Sequence, residues 1–156
     1  MSTDLQKLSD RTEIVELLSA YLAAVDDKRL DRTVMTTTFA VDGRIVRPNG
    51  AALIGHDSIL ESQSASFARF RATHHVTADH LVEIDGGTAR MRANLTAMHL
   101  WSPEESDSHS LETHFLAGGV FDVRATRTGE GWKLTEMALR NTWRSGTGMA
   151  AMLATR

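Results

Sequence analysis

Thr88-Ala89-Arg90-Met91-Arg92-Ala93-Asn94-Leu95-Thr96-Ala97-Met98-His99-Leu100-Trp101 decides the fold. Ala89, Met91, Ala93, Leu95, Ala97, His99 and Trp101 share one face, and Thr88, Arg90, Arg92, Asn94 and Thr96 share the other. Such alternation is the mark of a strand with one buried and one wet face. Just upstream, Asp85-Gly86-Gly87 is a hairpin signal, which makes residues 74–84 the partner strand. Downstream, residues 103–110 read as a polar loop and residues 111–127 as a third long strand. Gly129-Glu130-Gly131 then turns the chain into a fourth, residues 132–143. Gly118-Gly119, in the middle of the third strand, marks a bend in a curved sheet.

Before this meander the period is helical. Asp10 and Glu13 have capping-box spacing, and Ile14, Leu17, Leu18, Tyr21 and Val25 recur along one side, predicting a helix over about residues 10–25. A shorter helix is expected from about Asp31 to Thr38. A short strand follows over residues 39–48, with a turn or bulge at Asp42-Gly43. Asp57 or Ser58 would cap a third helix that buries Ile59, Leu60, Phe67 and Phe70. Helices first and an antiparallel meander afterwards is an α+β order, with the helices covering one face of the sheet.

Composition narrows the function. The 156 residues suit one domain, read as residues 1–156 with a core over about 8–145 and a Met- and Ala-rich tail from 146. There is no Cys, which removes disulfides and thiol chemistry. A net charge of −3 gives no electrostatic footprint for nucleic acid. No apolar run reaches the roughly 18 residues that cross a bilayer, so no membrane role is expected. The N-terminus has no apolar signal segment, and a cytoplasmic location is expected. No phosphate-binding glycine loop is present, and the histidines match no metal-ligand spacing, so neither cofactor nor metal is expected.

Two polar residues stand where bland ones would serve better. His99 lies on the apolar face of its strand, and Asp26 ends the first helix at the negative end of its dipole. His74 and His75 open the strand before the hairpin, and neighbours on a strand point to opposite faces. Strict alternation groups His74 with Val76, Ala78, Val82 and Ile84, whereas a bulge would bring His75 inward instead.

The chain resembles the SnoaL-like family of the nuclear transport factor 2-like superfamily. The likeness is carried by Ala23-Ala24-Val25-Asp26, Thr73-His74-His75, Leu81-Val82-Glu83-Ile84-Asp85-Gly86, residues 127–134 and Trp143-Arg144. It implies a cone-shaped α+β barrel of cystatin-like type, a curved antiparallel sheet wrapped by three N-terminal helices around an apolar pocket. Among relatives, scytalone dehydratase and hexachlorocyclohexane dehydrochlorinase pair an Asp at the end of the first helix with a His on the strand after the third. Asp26 and His75 match those positions, and His99 matches a second pocket His of the dehydratase. The resemblance thus selects His75 over His74 and implies a bulge or twist near Thr77. It departs from the dehydratase, which positions a water on its substrate carbonyl with two Tyr: Tyr21 is the one Tyr of this chain, and Val25 and the Ile45 region stand where those two would be. The basic residue that assists the dehydrochlorinase is not evident either.

The reading that results is a cofactor-independent lyase or isomerase, dehydratase-like elimination first. Polyketide cyclase or ketosteroid-isomerase-like activity, or a non-catalytic binding or assembly module, are the alternatives. Asp26 would orient His75, His75 would take a proton from carbon, and His99 would donate a hydrogen bond or proton to an oxygen. Tyr21, Leu18, Phe39, Phe67, Leu95, Trp101, Phe121 and Trp143 would contact a small hydrophobic cyclic substrate. Apolar side chains left on the outer sheet face predict a homodimer or homotrimer.

Overall fold

The computed structural model describes residues 3–102, 109, 111 and 113–148. Most of the loop expected over 103–110, and the tail beyond 148, lie outside these. The order is α1 (Thr3–Asp26), α2 (Arg32–Thr38), β1 (Phe39–Val46), β2 (Ala52–Ile54), α3 (His56–Phe67), β3 (Phe70–Asp85), β4 (Thr88–Trp101), β5 (His114–Thr128) and β6 (Gly131–Gly146). The strands form one curved, unclosed sheet in the order β2-β1-β6-β5-β4-β3. From β3 to β6 it is the antiparallel meander read from the sequence. β1 joins β6 in parallel, so the sheet as a whole is mixed, and β2 is a short strand the sequence reading missed.

The alternation of β4 translates directly into packing. Ala89, Met91, Ala93, Leu95, Ala97 and His99 are buried. All but His99 share one core with Ile14, Leu18, Tyr21, Leu22 and Val25 of α1 and with Phe121, Val123 and Ala125 of β5. Burying each large aliphatic side chain contributes about 1.5–3 kcal/mol, which is what holds α1 in the concave face.

α1 begins seven residues before the expected start, because Asp10 and Glu13 do not cap it. Asp10 is buried in mid-helix, where it accepts from Gln6 Nε2 at 2.8 Å and from Arg127 Nη2 at 2.5 Å. Glu13 Oε1 accepts the backbone N–H of Trp132 at 3.1 Å. The spacing that resembles a capping box serves instead to tie α1 to the β5–β6 hairpin. α3 also starts early: its N-cap is Gly55 at φ 86°, and Asp57 pairs with Arg32 on the surface. Phe70 opens β3 and is buried there, not on α3. α2 is capped as expected, Asp31 Oδ1 accepting from Val34 N at 2.8 Å.

Three of the register shifts in this curved sheet fall at residues with a special backbone role. β1 shifts register against β6 between Phe39 and Arg44, at the expected Asp42-Gly43. β5 shifts against β6 between Gly118 and Gly119. A Cβ on Gly119 would lie 2.6 Å from the Arg140 carbonyl oxygen, so glycine is what permits this approach. β3 shifts against β4 between Ala78 and Leu81, around Asp79 at φ 53°. No helix in the described residues is long and apolar enough to cross a membrane.

Candidate active site

The end of α1 is locked before it presents its carboxylate. Lys28 takes the left-handed conformation at φ 54°, its N–H donates to Val25 O at 3.1 Å, and Arg29 N–H donates to Ala24 O at 2.8 Å. This is the Schellman arrangement, and it fixes Asp26 in the last helical turn. Lys28 Nζ adds a 2.6 Å bond to Phe70 O at the start of β3. Helix end and strand start are therefore fastened together beside the two residues that must meet.

The bulge in β3 decides which histidine meets Asp26. Before it, Thr73, His75 and Thr77 turn inward and His74 is exposed; after it, Val82 and Ile84 take the inner face. Strict alternation carried back from Val82 counts through Asp79 and so chooses the wrong neighbour. His75 is the inward residue, and the irregularity lies just beyond Thr77.

His75 Nδ1 donates to Asp26 Oδ1 at 2.6 Å, and its backbone N–H donates to Oδ2 at 2.9 Å. Thr73 Oγ1 donates to Oδ1 at 2.8 Å. Burial alone would raise the pKa of Asp26, but the bonds from the His75 ring and backbone, its charge and the Thr73 hydroxyl outweigh it and hold the carboxyl below its ordinary value. The carboxylate stays ionised at neutral pH. It fixes a ring proton of His75 on Nδ1, and Nε2 has no partner among the described residues.

His99 lies diagonally across the β3–β4 ladder, its ring centroid 5.5 Å from that of His75 at 85°. Its Nδ1 donates to Phe115 O at 3.2 Å. Burial, with the neighbouring His75 adding to it, lowers its pKa to about 4, against smaller opposing effects from Phe115 and Asp26. His99 is thus neutral with its proton on Nδ1, and Nε2 is an acceptor. A hydrogen bond donated from His99 into the cavity, the role expected from the sequence, would need the other tautomer.

The two rings line a cavity of about 210 Å³. Tyr21, Phe67, Leu95 and Phe121 line it, as expected. The other four expected contacts do not. Leu18 and Phe39 are fully buried in the core, Phe39 against the edge of Tyr21. Trp101 packs on Phe70, its Nε1 donating to Thr147 O, and Trp143 is 48% exposed. Spacing places an aromatic on a strand but does not show where the cavity ends. The reading also missed polar wall residues: Arg47, Gln63, Arg69 and Asn141. Arg47 carried a signal, standing two residues after buried Ile45 and hence on the same face.

Tyr21 is the second polar group of interest. Gln63 Nε2 donates to its hydroxyl oxygen at 2.9 Å, which leaves the Tyr21 O–H without an acceptor among the described residues. Burial, partly opposed by the Gln63 bond, raises its pKa to about 12, so it stays a donor. The remaining described histidines do not converge. His56 Nε2 donates to Phe39 O, His80 Nε2 bonds Thr77 Oγ1 and His114 Nδ1 donates to Leu111 O. Among the described residues, no three His, Asp or Glu are grouped to hold a metal ion.

The chain belongs to the SnoaL-like family: the model of the SnoaL-like domain matches residues 6–138. No curated protein matches the chain in sequence. Among solved structures it is similar to a protein from Kribbella flavida, with 29% identity over 89% of this chain and 95% of that one and a TM-score of 0.77. A scytalone dehydratase-like protein from Novosphingobium aromaticivorans has 17% identity, coverage of 94% and 93%, and a TM-score of 0.79. Hexachlorocyclohexane dehydrochlorinase from Novosphingobium barchaimii has 15% identity, coverage of 94% and 95%, and a TM-score of 0.78. At those last two identities the likeness is one of fold.

Proposed function

We propose that this protein is a cofactor-independent acid–base enzyme that removes a proton from carbon in a small, largely apolar cyclic substrate. The observation that carries this reading is the 2.6 Å bond between His75 Nδ1 and Asp26, which leaves Nε2 as a base at the cavity wall. Asp26 orients the imidazole and stabilises the imidazolium that forms on proton transfer. Tyr21 donates a hydrogen bond to the oxygen that gains charge, the part a sequence reading would give to His99. His99 Nε2 accepts from a substrate hydroxyl and holds it beside His75.

Elimination of water follows if the carbanion or enolate expels a β-hydroxyl, with the proton gained by His75 returned to the leaving oxygen. The fold shared with a dehydratase-like protein and a dehydrochlorinase supports elimination as the first reading. Isomerisation and cyclisation begin with the same abstraction and are tested by the same panel. Turnover of cyclic ketones, hydroxyketones and polyketide-like phenols, followed by loss of water or change of absorbance, tests the proposal. Activity lost in His75→Ala supports it. Ligand binding without any turnover, undisturbed by Asp26→Asn, would point to a binding module instead.

A further inference from the structure

The wall opposite in character to the apolar lining is cationic. Arg47 and Arg69 both line the cavity, and among the described residues its lining contains no Asp or Glu. Arg47 is half-buried where β1 ends. Its backbone is held by a tight turn: Arg47 N–H donates to Ala51 O at 2.9 Å, and Gly50 N–H donates to Arg47 O at 2.8 Å. Its guanidinium is anchored to α3, Nη2 donating to Ser62 Oγ at 2.6 Å and Ser66 Oγ at 3.3 Å. Serine hydroxyls fix the group without neutralising it. The Nε and Nη1 hydrogens have no acceptor among the described residues, in a residue type whose planar donors suit carboxylates. Arg69 adds a second cation nearby, its Nε donating to Ser66 O at 3.2 Å. Burial, and then the charge of Arg47, depress its pKa, as two cations sharing a half-buried site require.

A half-buried guanidinium held by neutral groups in an apolar cavity is costly unless an anion completes it. We infer that Arg47 binds an anionic group of the cyclic substrate, a carboxylate by preference, while the ring lies against the apolar wall near His75. The inference rests on the reading of this cavity as the substrate site of the Asp26–His75 base. It narrows the substrate class to cyclic acids, and makes Arg47 the residue that selects them over neutral analogues.

Naphthoate and its neutral isostere naphthamide, titrated into the protein by calorimetry, test it. Naphthoate should bind at least about tenfold more tightly than the amide, with the advantage shrinking as salt is added. Arg47→Gln should abolish the difference by weakening naphthoate alone, and Arg47→Lys should restore part of it. Thermal melting of both variants shows whether the fold is intact. Equal affinity for the two probes, a preference that survives Arg47→Gln in full, or no binding of naphthoate would overturn the inference. His75→Ala separates the two proposals: it should keep the preference for naphthoate while losing turnover. A preference retained with no turnover in the unaltered protein would sink the base and leave the anion site standing.

Discussion

Asp26 receives both the ring N–H and the backbone N–H of His75, one on each carboxylate oxygen. The residue that would be the base therefore also clamps its own orienter. Asp26→Asn should be more damaging than loss of charge alone, because an amide NH2 must face one of these donors. The expected outcome is a stability loss of about 1–3 kcal/mol and a fall in kcat of at least about tenfold. Thr73→Val removes one donor and leaves both His75 bonds, so its kcat should stay within about tenfold of the parent. Urea titration and turnover of the same two variants check the order.

His99 gives the fold a pH dependence of known sign. Its folded pKa is about 4 against 6.5 when free, so between those values the unfolded chain binds a proton that the folded chain refuses. Stability should decline as pH falls from 6.5, by about 3 kcal/mol once pH is below 4, and this contribution should be flat above 6.5. Asp26 adds its own loss only lower down, as pH falls through its depressed pKa. His99→Gln should flatten the slope across the upper window. Unfolding midpoints measured in that window check it, and an unchanged slope would contradict the buried neutral state.

The paired glycines of β5 should differ. Gly119→Ala sets a Cβ 2.6 Å from the Arg140 carbonyl oxygen, a backbone atom that moves only with the sheet. It should cost about 1–3 kcal/mol. Gly118→Ala meets the ring of Trp143, but Trp143 is exposed and can swing away. Its cost should be smaller, with a change in Trp fluorescence as the readout.

Val76, Leu81 and Trp143 remain 50%, 62% and 48% exposed. An apolar outer surface of this kind supports self-association through the sheet, as a dimer or trimer. Sedimentation should give a multiple of the chain mass, and Trp143→Glu should shift it toward monomer. A monomer at micromolar concentration and above would contradict this.

What the sequence disclosed, and what it hid, follows from the range of the interactions involved. The meander was legible because β4 alternates without interruption and the turns after β3 and β5 are marked by glycine. Asp10 and Glu13 misled because capping spacing is local, whereas their partners, Arg127 and Trp132, lie more than a hundred residues away. β2 was too short and exposed to show a period. The inward turn of His75 depends on a bulge at Asp79, which alternation cannot foresee; the family resemblance supplied it. Arg47 is a different kind of omission: its parity was readable, but a charged residue at a strand end reads first as a solvated one.

The central claim is that Asp26 and His75 form a base able to take a proton from carbon. Exchange of α-hydrogens for deuterium in a cyclic ketone, followed by NMR in deuterated water, measures that step whatever reaction follows it. Exchange should be catalysed by the unaltered protein, fall by about 10²–10⁴ in Asp26→Asn and disappear in His75→Ala. Exchange that persists undiminished in His75→Ala would contradict the account.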